Sequence, residues 1–466
     1  MALSGLAFVA ALVPVALADP WHDAEAQASA EAARTEARDL LLGASPVVAS
    51  PGGWEFRWRL SPGARFSFGG GVSDNASGDA EPGAAGGVAV LRAVVTDGPF
   101  VASVAPEFGY QEGVAVRARG FVGVATESYT LGFGKRDRWI GPGRHGALTR
   151  SNNAEPPWMA EAAIDGRLPG IFDVAGHFRF ETDLGWLDRP RPDVTNPGLL
   201  AMNLRWSPVP EFELGINRLS IFGGEGRPPV DLGQMLVPSE PHVANDPEHL
   251  LPDQNELASI DFRVTLPLRM WLGGPVRYVE GWWEYGGEDM VVREVGGVPY
   301  PSLAGVGNTY GGEVAVGPVV VTGEYTRLMD DYFRWYVGHR IYHDGFTQDG
   351  RVLGHFGGPD SETMFASVAV AMPVVGHPAR ARVWADSVRR VGVIEQLKDH
   401  VFAFPTEDRR WRAGLDVDAE VSADWRVGVG YAFEQAEGVD FVPDAERTSH
   451  RGVVSVAWRG VASAED

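Results

Sequence analysis

One stretch of this chain, Tyr342-His-Asp-Gly-Phe-Thr-Gln-Asp-Gly-Arg-Val-Leu-Gly-His-Phe-Gly-Gly-Pro-Asp-Ser361, gathers Tyr342, His343, Asp344, Arg351, His355 and Asp360. A second stretch carries Trp139, Asn152, Asn153, Glu155 and Trp158. Sugars present hydroxyl groups that need paired donors and acceptors, and apolar ring faces that stack on aromatics, so both mixtures suit carbohydrate binding. Gly, Pro, Asn and Asp are equally what tight turns demand, and that architectural reading stands beside the binding one. His339, His343 and His355 with Asp360 supply imidazole and carboxylate, but their spacing fits no compact ligand motif, so no metal is expected. Glu288 and Asp289 are adjacent and fall on opposite faces of a strand, which is poor geometry for the facing carboxylates of a glycosidase. The chain has no nucleophile elbow, phosphate loop or zinc-protease helix, so neither catalysis nor a cofactor is expected.

The elements that would position these residues are strands. Trp54, Phe56, Trp58 and Leu60 share one face of an extended segment, with Glu55, Arg57 and Arg59 on the other. The same two-residue beat returns at 177–186 and 425–434. Further strand candidates lie at 65–71, 88–95, 101–108, 114–122, 129–135, 159–164, 199–206, 212–219, 257–264, 276–285, 310–316, 319–325, 364–370, 379–386, 410–421 and 453–458. That makes one strand more than the even number a closed bacterial barrel generally takes. Two connections, 222–254 and 327–361, are longer than any turn requires and are expected to face outward. A secreted β-sandwich or propeller would show the same alternation, and periodicity alone does not separate them.

Composition and targeting point to an exported chain. Leu6 to Leu17 form a short apolar core, and Ala16-Leu17-Ala18 before Asp19 is the small-x-small pattern of a signal peptide over 1–18, although no basic residue precedes the core. Residues 19–50 read as a short periplasmic helical segment stopped by Gly43, and 51–466 as the barrel. With no cysteine, disulfides and thiolate metal sites are excluded. The 15 Trp and 59 Gly suit interfacial girdles and lumen-facing or turn positions. A formal charge of -22 argues against a nucleic-acid partner, whose phosphates need a basic surface.

Five blocks in order carry a family resemblance. They are Trp139-Ile-Gly-Pro-Gly143 with Leu148-Thr-Arg-Ser-Asn-Asn-Ala-Glu-Pro156, then Leu214-Gly-Ile-Asn-Arg-Leu-Ser-Ile-Phe-Gly-Gly-Glu-Gly-Arg-Pro228, Asn255-Glu-Leu-Ala-Ser-Ile-Asp-Phe-Arg263, Tyr285-Gly-Gly-Glu-Asp289 and the Tyr342 to Ser361 stretch. Together they resemble the Wzi-type capsule assembly proteins. The resemblance implies an all-β fold: an antiparallel transmembrane barrel of about eighteen strands in the bacterial outer membrane, with a helical segment on its periplasmic side. It also implies a lectin-like, non-catalytic anchor for capsular or extracellular polysaccharide. The alternative is a diffusion porin or polysaccharide export channel. Expected partners are that polysaccharide, outer-membrane lipid, the barrel assembly machinery and other export components. The sugar-binding candidates are the eleven residues of the two stretches. Arg218, Glu225, Arg227, Arg263, Glu288 and Asp289 are candidates for a lumen network, because Arg with Glu inside a barrel forms ion pairs that hold loops. The chain departs from the family in its short helical preface and in lacking a terminal aromatic, with Trp458 placed to end the last strand and a loose tail behind it.

Overall fold

In the computed structural model, the described strands carry a band of outward apolar side chains while many carboxylates and arginines point inward, the reverse of a water-soluble core. The structure describes residues 57–69 and most of 85–463, the principal gaps being 98–99, 111–113, 168–175, 232–253 (apart from two positions), 296–297, 330–334, 398–399 and 459–460. The expected signal peptide and helical preface lie outside the described residues.

The strands form one antiparallel meander. In order they are β1 (Arg57–Gly69), β2 (Ala85–Asp97), β3 (Phe100–Tyr110), β4 (Val114–Ala125), β5 (Tyr129–Lys135), β6 (Met159–Arg167), β7 (His177–Trp186), β8 (Gly198–Val209), β9 (Phe212–Phe222), β10 (Gln254–Leu266) and β11 (Val276–Glu288). A separate hairpin of β12 (Met290–Val295) and β13 (Val298–Leu303) follows. The meander resumes with β14 (Val306–Val316) and β15 (Val319–Arg327), is interrupted by the two-residue strands β16 (Thr347–Gln348) and β17 (Arg351–Val352), and continues through β18 (Ser361–Val374), β19 (His377–Leu397), β20 (His400–Glu420), β21 (Trp425–Glu437), β22 (Glu446–Trp458) and β23 (Val461–Ser463). The principal sheet holds 19 strands, but β22 and β23 succeed one another along β1, so they share one stave and eighteen staves close the ring. Closure leaves no free edge, which is what backbone N–H and C=O groups require in hydrocarbon.

Two sequence expectations change here. The candidates 54–60 and 65–71 are not two strands: β1 runs unbroken against β2 through Ser61-Pro62-Gly63. Only its pairing with the last stave is interrupted, over residues 60–62, where Pro62 has no N–H to give. This removes the surplus strand. The chain past Trp458 is not wholly loose either, since Val461 to Ser463 pair with Arg59 to Arg57.

The outward band explains the fold's solvent. Leu131, Phe133, Ile164, Leu184, Ile216 and Leu415 are all exposed, while Glu161, Asp183, Asp261, Glu284, Glu324 and Asp386 are buried inside. Outward aromatics cluster: Phe133 stacks on Trp158 with centroids 5.5 Å apart, and Trp283 meets Phe262 at 5.4 Å and Tyr310 at 6.3 Å. Such rings favour the boundary between acyl chains and headgroups. Among the described residues no helix is long and apolar enough to cross a membrane. At one end the connections are turns such as 210–211, 317–318 and 375–376; at the other they include 136–158, 223–253 and 328–360. Long loops mark the extracellular end. A strand of ~9–11 residues suffices to cross at a tilt, so the 21-residue β19 and β20 reach beyond the bilayer.

Candidate functional site

The outer half of the barrel is filled by the 136–158 loop, which leaves β5, crosses the lumen and returns to β6. Its glycines allow that close passage: a Cβ on Gly146 would sit 2.0 Å from the His355 ring, and one on Gly141 would sit 2.7 Å from the Glu284 carboxylate. Ile140 and Arg150 bridge through reciprocal backbone hydrogen bonds of 2.8 and 3.3 Å, which closes the loop on itself.

Carboxylates of the barrel wall hold the loop. Glu324 on β15 accepts the N–H groups of Arg144 (2.6 Å), His145 (3.1 Å) and Gly146 (2.9 Å), together with the Trp282 indole N–H at 3.2 Å. Glu284 on β11 accepts Leu148 N–H at 3.0 Å and the hydroxyls of Thr149 (3.2 Å) and Ser259 (2.8 Å). Asp386 on β19 meets His145 at 3.0 Å and takes a two-pronged pair from Arg412, both contacts at 2.8 Å. On the opposite wall Arg136 and Arg138 pair with Glu161, and Arg138 reaches Asp183 at 3.2 Å. Contacts on β6, β7, β11, β15 and β19 place the loop across the barrel rather than along one side.

A second loop, 328–360, lies over the first. Tyr336 Oη donates to Leu148 C=O at 2.7 Å and accepts His355 N–H at 2.8 Å; Ser151 N–H donates to Leu353 C=O at 2.7 Å, and Asn153 Nδ2 to Val352 C=O at 3.1 Å. Between them sits an apolar core of Leu148, Trp335, Tyr336, Tyr342, Phe346 and Leu353, closed laterally by Leu199, Leu219, Ile221 and Leu257 from β8 to β10. Arg191 ties this assembly to the 187–197 loop, donating to the carbonyls of Thr347 (2.8 Å) and Gly345 (2.9 Å) and pairing with Asp193 at 3.0 Å. Burial would raise the Asp193 carboxyl, but Arg191 and the N–H groups of Val194 and Asp344 hold it below the usual range.

Of the sugar-binding candidates, Asn152, Asn153, Glu155, Tyr342, His355 and Asp360 are buried. Glu155 pairs with Lys135 at 2.7 Å, and Tyr342 Oη donates to Gly223 C=O at 3.0 Å. Asp360 holds a left-handed backbone (φ 54°) at the entry to β18. Trp139 is half-buried with its indole on Gly143 C=O at 3.1 Å, and Trp158 is outward against Phe133. His343 is exposed, and Asp344 and Arg351 are half-buried. The structure therefore brings the two stretches together as interlocked loops, with only part of them facing out.

The lumen-network residues divide. Arg263 and Glu288 follow the inward parity of their strands. Arg218 does not enter the lumen: Asn217 and Leu219 take the inward positions of β9, so Arg218 is outward, paired with Glu256 at 2.5 Å. Glu225 and Arg227 sit in the 223–253 loop rather than the lumen, Glu225 accepting Asn196 Nδ2 at 3.3 Å. Asp289 lies outside the described residues. Among the described residues no three His, Asp or Glu side chains gather as a metal site. Sequence reasoning missed Glu284 and Glu324, whose one available signal was a carboxylate at an inward position of an alternating strand.

Burial makes this assembly sensitive to acid. His355 Nδ1 accepts Gly357 N–H at 3.1 Å, and its pKa is pushed down to about 3 by burial first and then by His145, Arg390 and Arg412. His339 is pushed down to about 4 by burial, then His343 and Arg227. Unfolded histidine titrates near ~6.5. Below that value the unfolded loop binds protons that the packed loop refuses, so packing is fully stable above pH ~6.5 and weakens as pH falls towards the folded values. Amide protection factors across 335–356, taken relative to the intrinsic exchange rate at each pH, are expected to fall between pH 6.5 and 5. His355→Gln should flatten that response, and an unchanged slope would refute the assignment.

A model of the family described as capsule assembly protein Wzi matches residues 52–450. Among solved structures the fold is similar to Escherichia coli Wzi, described as an outer membrane protein involved in group 1 capsule assembly and a carbohydrate-binding β-barrel. That match has 18% identity over 94% of this chain and 89% of that one, with a TM-score of 0.65. It is also similar to the outer membrane protein OprD of Pseudomonas aeruginosa, at 9% identity over 90% of this chain and 98% of that one, with a TM-score of 0.51. No curated protein sequence matches. With the family model spanning most of its length and an edgeless, lipid-facing ring around a loop-filled lumen, the chain belongs to the Wzi family of capsule assembly proteins, as a β-barrel of the outer membrane.

Proposed function

We propose that this barrel is a lectin-like surface protein that binds capsular or extracellular polysaccharide at its outer mouth, retains it on the cell and assists capsule assembly without chemical turnover. The observation that carries the reading is the braced platform of the 136–158 and 328–360 loops. Buried hydrogen bonds fix its backbone before any ligand arrives, and preorganisation lowers the ordering cost of gripping a flexible polymer. On that platform His343, Asp344 and Arg351 offer donors and acceptors for sugar hydroxyls, and Asn196 and Glu225 offer more on the two loops that Asp344 N–H and Tyr342 Oη tie to this one at Asp193 and Gly223. The buried members of the two stretches act as the frame. The E. coli relative's carbohydrate binding supports the same assignment.

Purified barrel in detergent is expected to bind the producing strain's own polymer, measured by biolayer interferometry. The combined variant His343→Ala, Asp344→Ala and Arg351→Ala should weaken it by roughly tenfold or more, the loss of one to two charge-assisted hydrogen bonds. Heat-modifiable mobility on gels should stay unchanged. Absence of wild-type binding, together with full retention of polymer by a deletion strain, would overturn the proposal.

A further inference from the structure

A charged patch interrupts the apolar exterior on the extracellular side of β15, β18, β19 and β20. By the parity of their strands Arg327, Glu362, Arg389, Glu407 and Arg409 all point outward, as do Val321, Met364, Val383 and Trp411 on the same faces. They are neighbours by register: Arg327 opposes Glu362, Glu362 opposes Arg389, and Arg389 opposes Arg409. The carboxylates brace the arginines. Arg389 reaches Glu362 at 2.9 Å and Glu407 at 2.7 Å, Arg409 reaches Glu407 at 2.7 Å, and Arg327 stands 3.8 Å from Glu362.

Two features set this patch apart from an ordinary surface ion-pair cluster. Three guanidinium groups face two carboxylates, and the guanidinium side chains remain 57%, 42% and 59% exposed, against 25% for both acids. Bracing thus spends the carboxylates and leaves N–H donors turned outward. Glu437, opposite Arg409, bounds the patch on that side. Secondly, the next outward residues towards the bilayer are Tyr325, Met364, Ser387 and Trp411, of which Met364 and Trp411 are 60% and 61% exposed. A ligand on these arginines therefore has the apolar side chains of Met364 and Trp411 beneath it, on either side of Ser387.

We infer that this patch binds the phosphate groups of a phosphorylated glycolipid in the outer leaflet, with its acyl chains lying along Met364 and Trp411. Arginine forks match phosphate oxygens in two-pronged geometry, and charge-assisted pairing is strong beside a low-dielectric layer. Outward arginines at the membrane boundary are stabilised by anionic headgroups. Continuity with the lipid-facing band favours a lipid over a soluble anion.

Native mass spectrometry of the full barrel, with added bisphosphorylated lipid A, dephosphorylated lipid A or inorganic phosphate, tests this. The wild type is expected to hold bisphosphorylated lipid A roughly tenfold more tightly than the dephosphorylated form, and inorganic phosphate at equal concentration should not displace it. The variant Arg327→Gln, Arg389→Gln, Arg409→Gln should lose that preference. Where the triple variant fails to insert, Arg409→Gln alone is expected to cost about threefold. Equal binding of both lipids, full displacement by inorganic phosphate, or variants that bind as the wild type does would each overturn the inference.

Discussion

Replacing Glu324 with Ala is expected to open a conducting path through the barrel. This one carboxylate accepts three successive backbone N–H groups, those of Arg144, His145 and Gly146, at the point where the loop has crossed to β15. A buried donor left without an acceptor costs about 1–3 kcal/mol, so losing the acceptor of three together loosens the loop where it meets β15, with the Glu284 and Glu161 contacts still in place. Water is the replacement acceptor, and a segment bonded to water in place of the barrel wall is held less firmly across the lumen. In planar bilayers the wild type should be nearly closed, Glu324→Ala should show frequent open events, and Glu324→Gln, which keeps one acceptor oxygen, should fall between them. Adding Glu284→Ala should lengthen the openings, since Leu148 N–H and Thr149 Oγ1 lose their acceptor as well. A wild type that conducts steadily, as a porin does, would sink both this prediction and the platform beneath the proposed binding surface.

Trp335→Ala is expected to release the outer loop while leaving the barrel intact. Trp335 is fully buried, and its ring lies over Gly286 and Gly307, where a Cβ would come within 3.0 and 2.6 Å. Truncating a buried Trp costs about 3–5 kcal/mol, most of what a locally packed loop has to lose. The reciprocal change, Gly307→Val, fills the space the indole needs and should give the same phenotype from the barrel side. Limited proteolysis should cut both variants within 328–360 while the strands stay protected, because their hydrogen bonds run from stave to stave and owe nothing to the loop. Loss of the whole barrel instead would mean that the lumen packing, not the strand ladder, closes the ring.

How much of this was legible beforehand varies by element. The alternating run at 129–135 became β5 without change, and the bounds 222–254 and 327–361 coincide with the strand ends Phe222, Gln254, Arg327 and Ser361. At β1 the candidates 54–60 and 65–71 proved to be one strand through Ser61-Pro62-Gly63, because a strand can forgo one N–H where its neighbour is also broken. Strands β19 and β20 ran well past their candidates, since beyond the bilayer they keep pairing with each other while the alternation that marks a lipid face is no longer needed.

What the chemistry-bearing stretches do was decided only in three dimensions. Asn153, Glu155, Tyr342 and His355 have the residue types of a sugar site, yet their polar atoms are directed to a neighbouring loop, strand or turn. The same ambiguity hid the facing of Arg218. Where the lumen is wet, the polar side of a strand points inward; where the crossed loops have turned the lumen into an apolar core, Leu199, Leu219 and Leu257 point inward and the charges turn out. The sequence by itself determined the alternating strands, the outer-membrane setting and the family, because each is written in local spacing or local motifs. Which face is inside, and whether a polar loop residue meets a ligand or a neighbouring chain segment, depended on the 136–158 loop crossing the barrel. That crossing joins residues nearly two hundred positions apart, and no local pattern records it.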